Sequence, residues 1–169
     1  MRPRAHAGRG GGDAGRRAAA RRREAVTGYL LDTSCLVAAV CSWHQHHEAT
    51  RREIDRRQAA GESPVLAAHS LAEAYSVLTR LPEPHRLRPA DALDLIEANW
   101  SRARLVALGS ADYRRTLRRC RDSGIAGGTV YDALIAECAR KAGVSTIVTW
   151  DPDGFERFLE DEPVVKTPR

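Results

Sequence analysis

The sequence predicts an α/β fold of three layers, α/β/α, around a mainly parallel central sheet of four to five strands. Three observations predict it. Short apolar runs alternate with longer segments of helical spacing, and strands that alternate with helices build a mainly parallel sheet covered on both faces. A length of 169 residues suits one domain with a single sizeable core. Two of the apolar runs end on a carboxylate, Asp32 and Asp151, and in an open α/β sheet ligands bind at the carboxyl ends of the strands.

In chain order, YLLD closing on Asp32 reads as the first strand, followed directly by a helix over Thr33 to Val40. A polar helix spans about His46 to Ala60 and is ended by Gly61. With only Trp43 and Ile54 as apolar points, it is suited to being covered by a partner or a second protomer. Pro64 to Ala67 is the second strand; Leu71, Ala74, Tyr75 and Leu78 then recur at helical spacing until Pro82. Leu93, Ile96 and Trp100 repeat that pattern after Pro89. Leu105 to Leu108 is the third strand, and Tyr113, Leu117 and Cys120 mark the apolar side of the next helix. After a loop carrying Gly124, Gly127 and Gly128, Tyr131, Leu134, Ile135, Cys138 and Ala142 define the clearest helix, closed by Gly143. Thr146 to Thr149 is the fourth strand and Val164 to Lys166 a short fifth at the edge.

The formal charge of +5 suggests a nucleic-acid binder until it is divided by position. Residues 1–25 hold eight Arg against Asp13 and Glu24, a net of +6, which leaves −1 for residues 26–169. The expected organisation is therefore a disordered Arg/Gly/Ala-rich tail over 1–25 and one domain over 26–169. That tail has two readings of equal weight, an arm that touches nucleic acid or an annotated start upstream of a true one near Val26. No run approaches the length that spans a bilayer and the tail lacks a secretory apolar stretch, so a soluble, cytoplasmic protein is expected. Cys35, Cys41, Cys120 and Cys138 form no C-x-x-C pair and fit reduced, mostly buried thiols rather than a zinc site.

Four acids carry the chemistry: Asp32 and Asp151 at strand ends, Glu73 and Asp132 in the first turns of helices. Each has a simpler use taken singly. Asp32 can cap the helix that follows it, and Glu73 and Asp132 each stand three residues after a hydroxyl, Ser70 and Thr129, the spacing of a capping box. Caps need not converge, whereas four acids aimed at one point would repel one another unless a divalent cation neutralises them. Magnesium prefers oxygen ligands and keeps several waters. It lowers the pKa of a bound water and stabilises charge on a leaving oxygen, which points to phosphodiester hydrolysis. Neither a G-x-S-x-G elbow nor a G-x-x-x-x-G-K loop is present.

With these residues in view, the sequence resembles the PIN-domain ribonucleases, and within them the VapC-type toxins of bacterial toxin-antitoxin modules. The motifs that carry the resemblance are LLDTS at Asp32, LAEAYSVLTRLP at Glu73, GGTVYDALIAECA at Asp132 and VTWDPDGF at Asp151, in family order and spacing over almost all of residues 29–158. The resemblance implies an endoribonuclease that uses Mg²⁺ or Mn²⁺, works as a homodimer, and is neutralised by a cognate antitoxin whose tail enters the active-site groove. It places Asp32 and Asp132 as the principal metal contacts, with Glu73 and Asp151 ligating directly or through water. Thr33 and Ser34 take the hydroxyl positions after the first acid, and Thr149 the hydroxyl before the last. Asp153 either replaces or assists Asp151, or caps a short helix over Phe155 to Leu159, the reading favoured.

Arg114, Arg115, Arg118 and Arg119, with Arg121 nearby, form a basic strip suited equally to a solvated face and to RNA phosphates; Arg80, at the end of the helix bearing Glu73, is a second such candidate. His44, His46 and His47 read as the surface start of a polar helix rather than as metal ligands. Two rivals remain: an aspartyl phosphohydrolase, which would want an acid where Ser34 stands, and a nuclease-fold module that binds without cutting. The RNA target is not legible in the sequence.

Overall fold

The computed structural model describes residues 28–157, 159 and 163–169, so the reading of residues 1–25 as a tail lies outside the described residues. Five strands are observed: β1 (Gly28–Leu31), β2 (Ser63–Ala67), β3 (Arg104–Val106), β4 (Thr146–Val148) and β5 (Val164–Lys166). Around them lie α1 (Thr33–Val40), α2 (His47–Ala59), α3 (Ala68–Arg80), α4 (Pro89–Trp100), α5 (Ser110–Asp122), α6 (Thr129–Ala142) and α7 (Asp153–Glu156). The strand order is β3-β2-β1-β4-β5 and every pairing is parallel. The three-layer expectation holds, with five strands from the range of four to five.

Alternation along the strands separates two cores. Tyr29, Leu31, Leu66 and Val148 face α1, α3 and α4, where they meet Leu36, Leu78, Ile96 and Trp100. Leu30, Val65, Ala67 and Ile147 face the other way, onto Ile135, Ala136, Cys138 and Ala139 of α6 and onto Phe155. The chain runs from β1 outward through β2 to β3, then crosses back to β4 on the other side of β1. The reversal of strand order therefore falls between β1 and β4, where a crevice opens at the carboxyl ends of the strands. Asp32 follows β1 and Asp151 follows β4, and the Asp32 amide donates to the Val148 carbonyl at 3.0 Å.

Several expectations are corrected. Leu105 to Leu108 shortens to Arg104–Val106, because β3 is an edge strand with Leu105 half exposed and Leu108 packs beyond the ladder. Tyr113 and Leu117 are exposed on α5, while Thr116 and Cys120 are buried; the stripe that counts meets Ile125 and Ala133 through Cys120. Helix α2 carries its polar surface inward: Arg57 is buried, sits over the Tyr29 ring at 4.7 Å and donates to Glu53 at 2.7 Å and Glu62 at 2.6 Å. Its buried Thr50 and Ile54 complete a face already covered within this chain. All four cysteines are free and buried, as their spacing predicted. Among the described residues no helix is long and apolar enough to cross a membrane.

Candidate active site

Asp32 caps α1 and also lines a pocket shared with Glu73, Asp132 and Asp151. Placed by β1 and 6% exposed, its Oδ2 accepts from the Ser34 amide at 3.3 Å, the Ser34 hydroxyl at 2.7 Å and the Thr149 hydroxyl at 2.8 Å. The Ser34 hydroxyl in turn accepts from the Trp150 amide at 3.1 Å, and Thr149 Oγ1 accepts from the Asp151 amide at 3.0 Å. Two hydroxyls thus lock the end of β1 to the segment leaving β4 and occupy one carboxylate oxygen. Oδ1 of Asp32 accepts no hydrogen bond from any described residue.

Glu73 and Asp132 are not capping-box residues. Helix α3 begins at Ala68, straight out of β2, so Ser70 is already helical and buried; α6 begins at Thr129 itself, after Gly128. Glu73 instead accepts at Oε2 from the Thr33 hydroxyl at 2.8 Å, a bond between α1 and α3. Asp132 accepts no hydrogen bond from any described residue. Its carboxyl is pushed up to about 7, first by burial and then by the charges of Asp32, Asp151 and Glu73. A pocket of about 410 Å³ is lined by Asp32, Thr33, Ser34, Glu73, Asp132 and Asp151, with Val77, Ile135 and Trp150 as its apolar wall. None of the four acids is in a salt bridge among the described residues, and neither Lys nor Arg lines the pocket.

The acid side of the pocket fits a hard divalent cation: carboxylate and hydroxyl oxygens with uncompensated negative charge and free oxygens on Asp32 and Glu73, while His44, Gln45 and His46 line the pocket beside them. Among the described residues no three His, Cys, Asp or Glu side chains are placed to hold a metal ion together. The four acids share a pocket without being gathered round one point.

Asp153 is exposed, is the first residue of α7 rather than its cap, and does not line the pocket; Pro152 precedes the helix. Sequence reasoning missed Gly154. A Cβ there would meet Asp132 Oδ2 at 2.5 Å and Cγ at 3.0 Å, so the Asp132 carboxylate rests against bare backbone. The motif DPDGF held the signal, a glycine close after the last acid.

The histidines also lie closer to the chemistry than their spacing suggests. His44 and His46 line the acid pocket, and His46 stacks on Trp150 at 3.8 Å with 12° between the planes. His47 contacts the Ala38 carbonyl through Nδ1 at 2.9 Å. Burial, followed by the neighbouring His46 and His47, holds His44 below the usual imidazole range.

No α5 arginine lines the pocket. Arg115 is engaged by Asp112 at 2.8 Å and by Glu137, and Glu137 also takes Arg140 at 2.7 Å. Arg114, Arg118 and Arg119 are exposed and in no ion pair among the described residues. Arg80 stands at the end of α3, one turn beyond Val77 on the helix that carries Glu73 into the pocket.

A five-stranded parallel sheet with an acid pocket at its strand-order reversal defines a class of small α/β/α domains built around clustered carboxylates. The PIN domain family model matches residues 29–159, and the chain belongs to that family. It is 38% identical over 127 residues to a protein named Ribonuclease VapC40 from Mycobacterium tuberculosis, covering 75% of this chain and 89% of that one. It is also 38% identical over 130 residues to Ribonuclease VapC27 of the same organism, covering 76% and 90%. Among solved structures, the fold is similar to Mycobacterium tuberculosis VapC20, a Sarcin-Ricin loop cleaving toxin (TM-score 0.60, 18% identity, 80% of this chain and 99% of that chain). It is likewise similar to VapBC2 from Rickettsia felis bound to a promoter DNA fragment (TM-score 0.59, 16% identity, 84% and 99%).

Proposed function

We propose that this protein is a metal-dependent endoribonuclease and the toxin of a VapBC-type toxin-antitoxin module. The observation that carries the reading is the uncompensated carboxylate of Asp132, crowded by three other acids in one pocket. Such a group has no structural use: buried like charges weaken a fold unless something else neutralises them. That argues against a silent binding module, and Ser34 bound to Asp32 leaves the aspartyl phosphohydrolase without its second acid.

Asp32 and Asp132 would hold Mg²⁺ or Mn²⁺, with Glu73 and Asp151 ligating directly or through water. When bound, the ion supplies Lewis-acid stabilisation of the phosphate and a more acidic water. Ser34 and Thr149 fix the Asp32 carboxylate by its Oδ2 so that Oδ1 stays available. Thr33 holds Glu73 Oε2 and leaves Oε1 to take a proton from the attacking water. The water oxygen bonds to phosphorus as the P–O3′ bond breaks, the leaving O3′ takes up a proton from solvent, and Glu73 returns the one it accepted to solvent. Products therefore carry a 5′-phosphate and a 3′-hydroxyl.

Support for the toxin assignment comes from the relatives named as VapC ribonucleases and from the VapBC structures that share the fold. In this reading the protein is cytoplasmic, pairs as a homodimer, and is silenced by an antitoxin segment entering the acid pocket. Purified protein with Mg²⁺ or Mn²⁺ should cut total RNA at discrete sites, and the cuts should vanish with Asp32→Asn, with Asp132→Asn and in EDTA. Cleavage that survives both substitutions would refute the site.

A further inference from the structure

A set of aromatic rings leads from the surface into the acid pocket. His85 and Trp43 stack at 3.9 Å with 22° between planes, and His46 and Trp150 stack at 3.8 Å with 12°. His44 bridges the two pairs, 5.9 Å from Trp43 and 5.5 Å from His46, tilted by about 50° to each. The inner pair is built into the site: the Trp150 amide donates to Ser34, which holds Asp32, while Trp150 Nε1 donates to Thr50 at 2.8 Å. The outer ring is open, with Trp43 46% exposed although its other neighbour is a stacked histidine.

Exposure of a single ring needs no partner to explain it; what sets Trp43 apart is its place in a run of rings that reaches the acid pocket. A core explanation fails, because Trp43 lies outside the hydrophobic clusters. Metal binding by the histidines fails too, since two of the three rings are committed to face-to-face stacking and, among the described residues, no three ligand side chains are placed to hold a metal ion together. Open ring surfaces continuous with a phosphate-cleaving pocket match unpaired bases, which stack on aromatic side chains while the backbone is held at the cleavage site.

We propose that Trp43 and His44, braced by His85 and His46, form a base-stacking platform that seats unpaired nucleotides of a single-stranded RNA beside the scissile phosphate. The proposal rests on the nuclease reading above and adds where the strand lies: over Trp43 and His44, on the histidine side of the acid pocket. Stacking tolerates any base, so the platform sets how the strand lies more than which sequence is cut.

The test uses fluorescein-labelled oligoadenylate of eight nucleotides and an abasic strand of the same length, with Ca²⁺ replacing Mg²⁺ and binding read by anisotropy. Wild-type protein should hold the oligoadenylate about tenfold more tightly than the abasic strand. Trp43→Ala should abolish that difference and Trp43→Phe should keep most of it. Because Trp43 is half exposed, both variants should match wild type in thermal melting. Equal binding of oligoadenylate by wild type and Trp43→Ala overturns the platform, as does a wild type that cuts total RNA yet binds both strands alike. The nuclease reading is judged separately by total-RNA cleavage, so a wild type that cuts while the platform fails leaves that reading standing. A wild type that neither cuts nor binds defeats both.

Discussion

Replacing Asp132 by Asn should destroy activity and stabilise the metal-free protein. In the folded state the Asp132 carboxyl is pushed up to about 7, whereas an unfolded chain returns it to its ordinary value of 3.8. The folded state therefore binds the proton more strongly between those values, and stability falls as pH rises from about 4 to about 7. Below that window the acid costs nothing; above it the full penalty is present. A shift of about three units would correspond to about 4 kcal/mol if none were screened. Asp132 is only half removed from water, so solvent screening brings the expected penalty to about 2 kcal/mol. For a domain of this size that is a rise in Tm of about 7 °C for Asp132→Asn at pH 8 in EDTA, shrinking to nothing near pH 4. The measurement is thermal unfolding of wild type and variant across that range, read as the difference between them so that titrations common to both cancel. Excess Mg²⁺ should reverse the order at pH 8 by stabilising wild type alone, by about 2.7 kcal/mol at a hundredfold excess over its Kd. A variant no more stable than wild type at pH 8, or a difference that ignores pH, would show that the acids do not crowd Asp132 and would remove the main support for a cation site.

Gly154→Ala drives a methyl group into the Asp132 carboxylate, and RNA cleavage should fall at least tenfold while the far-ultraviolet spectrum stays unchanged. Thr149→Val removes a hydroxyl that both donates to Asp32 and receives the Asp151 amide; urea unfolding should show a loss of about 1–3 kcal/mol, and cleavage should drop with it. Arg57→Ala removes Glu62's ion-pair partner, leaves Glu53 with Arg56 alone and uncovers Tyr29, for a loss of about 1–3 kcal/mol in chemical unfolding with no direct effect on the site. Arg115→Ala, by contrast, leaves Glu137 paired with Arg140, and RNA affinity at low salt should not change if that arginine serves the α5–α6 network rather than phosphate.

What the sequence made legible was local. Helix α1 starts at Thr33 because Asp32 accepts the Ser34 amide, and α6 ends at Gly143 because φ of 72° there favours glycine; both signals sit within a few residues. The sharing of one pocket by Asp32, Glu73, Asp132 and Asp151 followed from their places at strand ends and helix starts in a parallel sheet. The face of α5 was misread because Tyr113, Leu117 and Cys120 lie within a turn of the stripe that Thr116 and Cys120 bury, and hydrophobicity alone does not rank them. The inward polar face of α2 escaped because a buried Arg57 depends on Glu62, five residues on and beyond the helix. The aromatic rings were invisible as a set: His85 and Trp150 come from loops more than sixty residues apart.

Capping by Asp32 does not preclude the proposed catalytic role, and the reason lies in how a carboxylate divides its oxygens. All three hydrogen bonds fall on Oδ2, which ends β1, starts α1 and ties both to the segment after β4. A cap with both oxygens engaged would have no ligand to offer, and a ligand with neither engaged would swing. Glu73 repeats the division, with Oε2 on Thr33. Asp132 does not: it accepts from no described residue, leans on the bare backbone of Gly154, and has its carboxyl pushed up by burial and by the neighbouring acids. Two acids are therefore held in place before any cation arrives, and the third acquires a charge partner only when one does. On that reasoning cation affinity should rise with pH up to about 7, following the proton that Asp132 must release.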